Sequence, residues 1–365
     1  CPGTRGRHTS PGGQGERPAG DDTSALARPC SSDRCAPLSP RLPQPADNRP
    51  VCLALQARRA DKLLTACRTS GISSPLRALQ AGCSHRRTTL IRNTFQLTRG
   101  IGPSRERELW ARGIASWDDF PRAGAGVAFS AAQDERIRSS LWQASELLAA
   151  RDLGGLASLL PSRERWRLYR EFSREAVFFD IETDASPQQR PTVVSLFTAA
   201  GIEVFIRGRN LERVPEALGC WPIWVTFNGL GFDVPVLKRH FPRLPEPAVH
   251  LDLRHLCRRL ELTGGLKRIE SALGFGRPPH LRGVDGYDAV LLWRAFERSG
   301  SPEELRLLVE YNIYDSVQLR TLMDTVYNRA IKRLGVKAPL VEVFDRGEVL
   351  YDISRYLLTL TGRPD

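Results

Sequence analysis

The run Glu175-Ala-Val-Phe-Phe-Asp-Ile-Glu-Thr183 sets two acids inside an otherwise apolar, aromatic and β-branched stretch. Such a run reads as a buried strand. Side chains two apart on a strand share a face, so Asp180 and Glu182 project together. Adjacent carboxylates in an apolar setting repel each other and resist ionising, and a divalent cation is the compensation that keeps them charged. On an exposed strand the same pair would be ordinary solvated surface. Here Val177, Phe178 and Phe179 argue for burial.

Two further segments carry chemistry. Pro222–Phe227 reads as a second strand, ended by a turn at Asn228-Gly229, and a helix follows with Phe232, Val236 and Leu237 apolar and Asp233 in its first turn. The helix dipole alone favours an acid at that position. It does not account for Asn228, Phe232 and Asp233 occurring together. The stretch from Glu303 to about Arg333 is helical in pattern, with Leu305, Leu308, Ile313, Val317, Leu319, Leu322 and Val326 as its apolar stripe. Tyr311 and Asp315 lie one turn apart on one face, and Tyr314 falls mostly off it. Taken singly, such residues are core packing and solvated surface. The conjunction of three segments points instead to phosphodiester hydrolysis.

Together these residues resemble the DEDD exonucleases of the ribonuclease H-like fold, in the subgroup whose third motif carries tyrosine. Asp180 and Glu182 match the first motif, Asn228-x-x-x-Phe232-Asp233 the second and Tyr311-x-x-x-Asp315 the third. None of the six histidines lies in the third segment, which sets the histidine subgroup aside. The words Thr226-Phe-Asn-Gly-Leu-Gly-Phe-Asp-Val-Pro-Val-Leu237 and Tyr311-Asn-Ile-Tyr-Asp-Ser-Val-Gln-Leu319 are similar to those of the bacterial YprB-type exonucleases. More distantly, they resemble the proofreading domains of family B DNA polymerases. The resemblance covers roughly residues 91–335. It implies that Asp180 bridges two ions, that Glu182 and Asp315 hold the ion that activates water, and that Asp233 serves the second ion through water. Tyr311 would orient the attacking water, and Thr183, Asn228 and Phe232 would contact substrate. Two metals about 4 Å apart suit phosphate hydrolysis, and all-oxygen ligands favour magnesium or manganese over zinc.

A net charge of +12 suggests nucleic acid as partner, but its distribution weakens that inference. Residues 1–90 hold fourteen Lys and Arg against six Asp and Glu, leaving the remainder only mildly basic. Phosphate affinity must then come from a local patch and the metals. The first 90 residues are rich in Gly, Pro, Ser and Arg, a composition expected to be disordered. The chain begins with Cys1, and family-like sequence begins near Leu90-Ile-Arg-Asn-Thr-Phe95. The expectation is that the native start lies there and that the extension need not be native. Six of the eight cysteines fall in it, without the paired C-x2-C spacing of a zinc site. Cys220 and Cys257 remain in the folded part, as expected of a reduced, cytoplasmic protein. No apolar run reaches the ~18 residues of a membrane helix, and no signal-peptide pattern precedes the fold.

Between extension and motifs, Gly100-Ile101-Gly102 followed by Leu109 and Ile114 resembles a helix-hairpin-helix element, whose glycine turn offers N–H groups to a phosphate. Gly100 and Gly102 are therefore candidate substrate contacts. A plain turn between helices is the alternative, and Glu106 departs from the motif's usual small residue. Trp110, Trp117, Trp142 and Trp166 are expected in the core. Farther on, His250–Arg254 reads as a strand, Gly265–Gly274 and Tyr287–Arg298 as helices. Lys267 and Arg268 read as solvated helix surface first and as contacts to backbone phosphates second, and Asp252 and Asp285 as carboxylates outside the site.

The expected architecture is α/β: residues 91–172 a small all-α, helix-hairpin-helix-like domain, 173–335 a ribonuclease H-like mixed sheet flanked by helices, and 336–365 a C-terminal extension. The expected activity is metal-dependent removal of nucleotides from a 3′ end. The rivals are an endonuclease of the same fold and a nucleic-acid-binding scaffold without catalysis. DNA against RNA, and protein partners, are not legible.

Overall fold

The computed structural model describes residues 89–120 and 129–347. The basic extension therefore lies outside the described residues except for Thr89 and Leu90, as do 121–128 and 348–365. Leu90, at the end of that extension, is 1% exposed and belongs to the core.

Among the described residues four α-helices precede the sheet: α1 (Pro103–Ala111), α2 (Ala131–Ala149), α3 (Leu153–Leu159) and α4 (Tyr169–Phe172). Strands β1 (Ala176–Thr183), β2 (Pro191–Thr198) and β3 (Gly201–Ile206) follow, then α5 (Val214–Gly219), β4 (Ile223–Thr226), α6 (Asp233–His240) and β5 (Val249–Asp252). Among the described residues four helices follow the last strand: α7 (Leu253–Arg259), α8 (Leu266–Ala272), α9 (Gly286–Ser299) and α10 (Pro302–Leu334).

The sheet is mixed, in the order β3-β2-β1-β4-β5. β1 pairs antiparallel with β2 and parallel with β4, so the acid-bearing strand sits at the centre. Its alternation divides the core: Val177, Phe179 and Ile181 join Val214, Leu218, Val236 and Leu237 of α5 and α6 on one face. Ala176 and Phe178 join Tyr311, Ile313, Val317 and Leu319 of α10 on the other. Asp180 and Glu182 continue the second set, so the pleat aims both acids towards α10. The same apolar cluster includes Phe95, Leu109, Ile137 and Leu156, which fastens the N-terminal helices to the sheet.

α10 forms where its sequence pattern predicts because every end signal agrees. Ser301 caps it, with its side chain accepting from the Glu303 N–H. Pro302, Glu303 and Glu304 fill the first turn, Lys332 and Arg333 the last, and Gly335 stops it in the left-handed conformation at φ 73°. At 33 residues it runs about 50 Å. Two buried hydroxyls seat it on the sheet: Ser195 of β2 and Ser316 lie 2.6 Å apart, and Ser195 Oγ donates to the Asn312 carbonyl at 2.9 Å.

Several expectations need correction. The strand expected over His250–Arg254 ends at Asp252, whose side chain caps α7 by accepting from the Arg254 N–H. Trp142 is 69% exposed and so is not core, whereas Trp117 and Trp166 are buried. The Gly100–Gly102 turn is preceded by a 3-10 turn at Leu90–Asn93 and followed by α1, so its first arm is not an α-helix. Of the cysteines in the fold, Cys257 is buried and free. Among the described residues no helix is long and apolar enough to cross a membrane.

Candidate active site

The site lies where the C-terminal end of β1 meets α10. β1 contributes Asp180 and Glu182; α10, crossing the same face, contributes Asp315 with Tyr311 one turn before it. One oxygen from each of Asp180, Glu182 and Asp315 lies within 4.8 Å of the others. Asp233, the first residue of α6, is buried in the same cleft. The cleft has a volume of about 320 Å³ and is also lined by Asn228, Phe232, Lys267, Arg277 and Tyr311.

Crowding four acids against a buried sheet edge suppresses their ionisation. Burial, and then the charges of Asp233, Asp315 and Glu182, hold the Asp180 pKa well above the carboxylate range. Burial and the charges of Asp315 and Asp233 do the same to Glu182. Burial pushes Asp233 up to about 7, with Asp252 adding to the rise and the backbone N–H of Ile181 opposing it. Burial also raises Asp315, against the pull of Arg277. Three carboxylates that converge and cannot all ionise unaided are a donor set that fits a divalent, oxygen-seeking cation. Tyr311 is affected in the same sense: burial and then the charges of Asp315, Glu182 and Asp180 raise its phenol far above 10.0.

Second contacts fix these groups. Asn312 donates from Nδ2 to Asp180 Oδ2 at 2.9 Å. Arg277 donates from Nη2 to Asp315 Oδ1 at 2.5 Å, and its Nε reaches Glu270 Oε2 at 2.9 Å. Its guanidinium lies 4.9 Å from the ring centre of Tyr314, and Tyr314 in turn donates its hydroxyl to the Gly276 carbonyl at 2.6 Å. Lys267 sits 5.1 Å from the ring centre of Tyr311 and donates to the Val284 carbonyl.

The loop between β4 and α6 owes its shape to one acid. Asp252 accepts the backbone N–H of Asn228 at 2.8 Å through Oδ1 and that of Leu230 at 3.1 Å through Oδ2. Asn228 takes φ 65°, a conformation that Asn tolerates better than most residues. Its carbonyl accepts from Gly231 and Phe232 at 3.0 Å. A Cβ at Gly229 would run into the Thr226 side chain, which accounts for glycine there. This turn delivers Asp233 to the cleft.

Thus Asp180, Glu182, Asp233, Tyr311 and Asp315 come together, and Asn228 and Phe232 line the same cleft. The Asn228 amide oxygen is occupied, accepting from Arg254 Nη1 at 2.5 Å. Thr183 is buried at the end of β1 and is not among the cleft's lining residues. Gly100 and Gly102 do not line it either: Gly100 O accepts from Arg105 Nη1 at 2.9 Å, and Gly102 precedes α1. The small residue missing from that turn is explained. Glu106 is 1% exposed and pairs with Arg167 at 2.9 Å, while also accepting from the Phe95 N–H at 2.8 Å.

Sequence reasoning passed over Arg277, Asn312 and Asp252, and placed Lys267 on the surface. Asp252 had a readable signal, being an acid at a strand end directly before an apolar-basic helix. Arg277 lies in a Gly-Arg-Pro-Pro loop, and no local pattern ties it to Asp315.

Residues 177–327 match the family model described as the RNase_H superfamily. The fold is ribonuclease H-like. Its five-stranded mixed sheet flanked by helices, with acids on the central strand, is the nuclease-type arrangement that the family match supports, and the acid cluster could hold a metal ion. No curated protein matches the chain. A solved structure similar to part of it is the family B DNA polymerase from the hyperthermophilic archaeon Pyrobaculum calidifontis, at 17% identity and a TM-score of 0.32. That alignment covers 50% of this chain and 29% of the polymerase.

Proposed function

We propose that this ribonuclease H-like chain is a metal-dependent 3′–5′ exonuclease of nucleic acid. The observation that carries the reading is the convergence of Asp180, Glu182 and Asp315 within 4.8 Å on a buried strand and the helix crossing it. These three would hold one magnesium or manganese ion, and Asp233 would serve a second. When bound, such ions neutralise phosphate charge and activate water.

The chain's own residues supply the rest. Asn312 orients the Asp180 carboxylate by donating to Oδ2, which would leave the other oxygen for a cation. Tyr311, its phenol held protonated by burial and surrounding acids, cannot act as a base and serves to orient water through its hydroxyl. Lys267 and Arg277 bring positive charge to an otherwise acidic cleft, the complement a phosphate requires. Phe232, half-buried at the cleft edge, offers an apolar contact for the terminal base.

The test is digestion of 5′-labelled single- and double-stranded DNA and RNA with magnesium or manganese. The expected outcome is a ladder shortening from the 3′ end, blocked by a 3′-terminal modification and absent with Asp180→Asn. Internal cutting of a closed circle would assign an endonuclease instead. Cleavage by Asp180→Asn at wild-type rate in excess chelator would remove the metal-dependent reading altogether.

A further inference from the structure

A second, larger cavity of about 530 Å³ opens on the other side of the β4–α6 loop. Leu230 lines it, while Asn228 and Phe232 of the same loop line the acidic cleft, so one short turn separates the two. Asp252 lines this cavity and also holds the turn between the two, accepting the Asn228 and Leu230 N–H groups. The floor is apolar, made by Leu251, Leu253, Leu256 and Trp166, and Leu230 is 51% exposed at its edge. The rim carries Arg163, Arg258 and Arg259.

Two features point to a ligand. One is the floor, which leaves an apolar cavity open beside the acidic cleft. Charge is the other. Arg259 is spent on Glu164 at 3.0 Å and on the Arg163 carbonyl at 2.5 Å, but Arg258 is exposed and has no ion-pair partner among the described residues. The lining acid, Asp252, is buried and already engaged by three backbone N–H groups. The rim is therefore cationic over an apolar floor. That combination suits a flat, aromatic body joined to an anion.

We propose that this cavity is a nucleic-acid subsite, taking a base against Trp166 and Leu256 and a flanking phosphate on Arg163 and Arg258. The strand so held continues over the β4–α6 loop into the acidic cleft. The subsite rests on the exonuclease reading for the direction of the strand, but its occupancy is measurable without hydrolysis.

The experiment uses the full chain in excess chelator. Fluorescence anisotropy reads the affinity for a labelled single strand of about 12 nucleotides and for a dinucleotide, each over a salt series. Arg163→Glu/Arg258→Glu is compared with Arg298→Glu, an exposed charge on α9 outside both cavities. The double variant should weaken strand binding at least tenfold more than the control. It should also flatten the slope of log Kd against log salt by about 1.4, the contribution of two phosphates on a single strand. Trp166→Phe, which shrinks the aromatic floor, should lose part of the affinity for the strand. If the double variant tracks Arg298→Glu, or if wild type binds the strand no better than the dinucleotide, the subsite does not exist. Tighter binding of an acidic, leucine-rich peptide, lost in the double variant, would reassign the cavity to a protein partner. Failure of the nuclease reading is seen separately, as end-labelled strands left intact by wild type with manganese.

Discussion

At the scale of single residues, the acidic cleft contains a resident cation. Arg277 already occupies one oxygen of Asp315, so it competes with a metal for that carboxylate while offering the positive charge a phosphate needs. Arg277→Gln alone would strand Glu270, a buried carboxylate whose pKa burial raises and Arg277 restrains. The informative variant is therefore Glu270→Gln/Arg277→Gln. Manganese affinity, read by calorimetry, should tighten by about tenfold, the weight of one charge-assisted hydrogen bond of about 1.5 kcal/mol, while KM for an oligonucleotide rises. Unchanged manganese affinity would mean that Arg277 does not contend for Asp315. Tyr311→Phe removes one hydroxyl from the cleft and keeps the packing. Turnover should fall by about 10- to 1,000-fold with manganese binding unaltered, as for loss of a water-orienting group. Tyr314→Phe is not a silent comparison, because its hydroxyl holds Gly276, the neighbour of Arg277. Its loss should appear mainly in KM, and a turnover defect equal to that of Tyr311→Phe would show that the orienting hydroxyl was misassigned.

At the scale of elements, the site depends on how α10 rests on the sheet. Ser195 and Ser316 form a buried hydroxyl pair that fixes the helix next to the turn bearing Tyr311, Asn312 and Asp315. Removing either hydroxyl breaks the pair and that residue's own bond to a backbone carbonyl, while the other keeps its carbonyl, so Ser195→Ala or Ser316→Ala should cost about 1–2 kcal/mol in denaturant melts. The double variant should cost clearly less than the sum, because the pair is removed together. Strict additivity would mean that the two hydroxyls do not act on each other. The other element that matters is the β4–α6 loop, which Asp252 shapes from the neighbouring strand end. In this way the parallel pairing of β4 and β5, together with the Asn228 and Gly229 conformations of the loop itself, sets where Asp233 enters the cleft.

At the scale of the whole molecule, the acid cluster makes stability depend on pH. Asp180, Glu182, Asp233 and Asp315 all have pKa values above their ordinary range in the fold. For Asp233 the ordinary value is 3.8 and the folded value about 7. Between those limits the native state keeps a proton that the unfolded chain has released, so this stability is complete below about pH 4 and is lost as pH rises through 7. His250 works in the opposite sense, because burial lowers its pKa to about 4 and its contribution is lost as pH falls. Four acids outweigh it. In chelator, Tm should therefore fall as pH rises from 5 to 8, and manganese should remove most of that fall. A Tm that climbs over this range in chelator would contradict the buried-cluster electrostatics.

Local chemistry made much of this legible from the residues alone. β1 announces itself by an apolar run with two acids in period two, and α10 by a cap, a proline, end charges and a terminal glycine, all signals that act within a few residues. Asp180, Glu182, Asp233, Tyr311 and Asp315 could be picked out because each sits at a defined place on such an element. The β2–β3 hairpin went unread, although Pro191–Thr198 is rich in β-branched residues, because a fully buried run lacks the alternation that marks a strand. Trp142 could not be told from its buried relatives, since an exposed helix face is defined only by what packs opposite. Tertiary contact alone decided that Arg277 reaches Asp315 across 38 residues, that Asn312 reaches Asp180 across 132, and that Arg167 reaches Glu106 across 61. Each is a polar contact between segments joined only by folding, so no spacing along the chain encodes it. The physical divide is range: backbone propensity and side-chain periodicity are local, whereas a buried charge finds its partner only when the core closes around both.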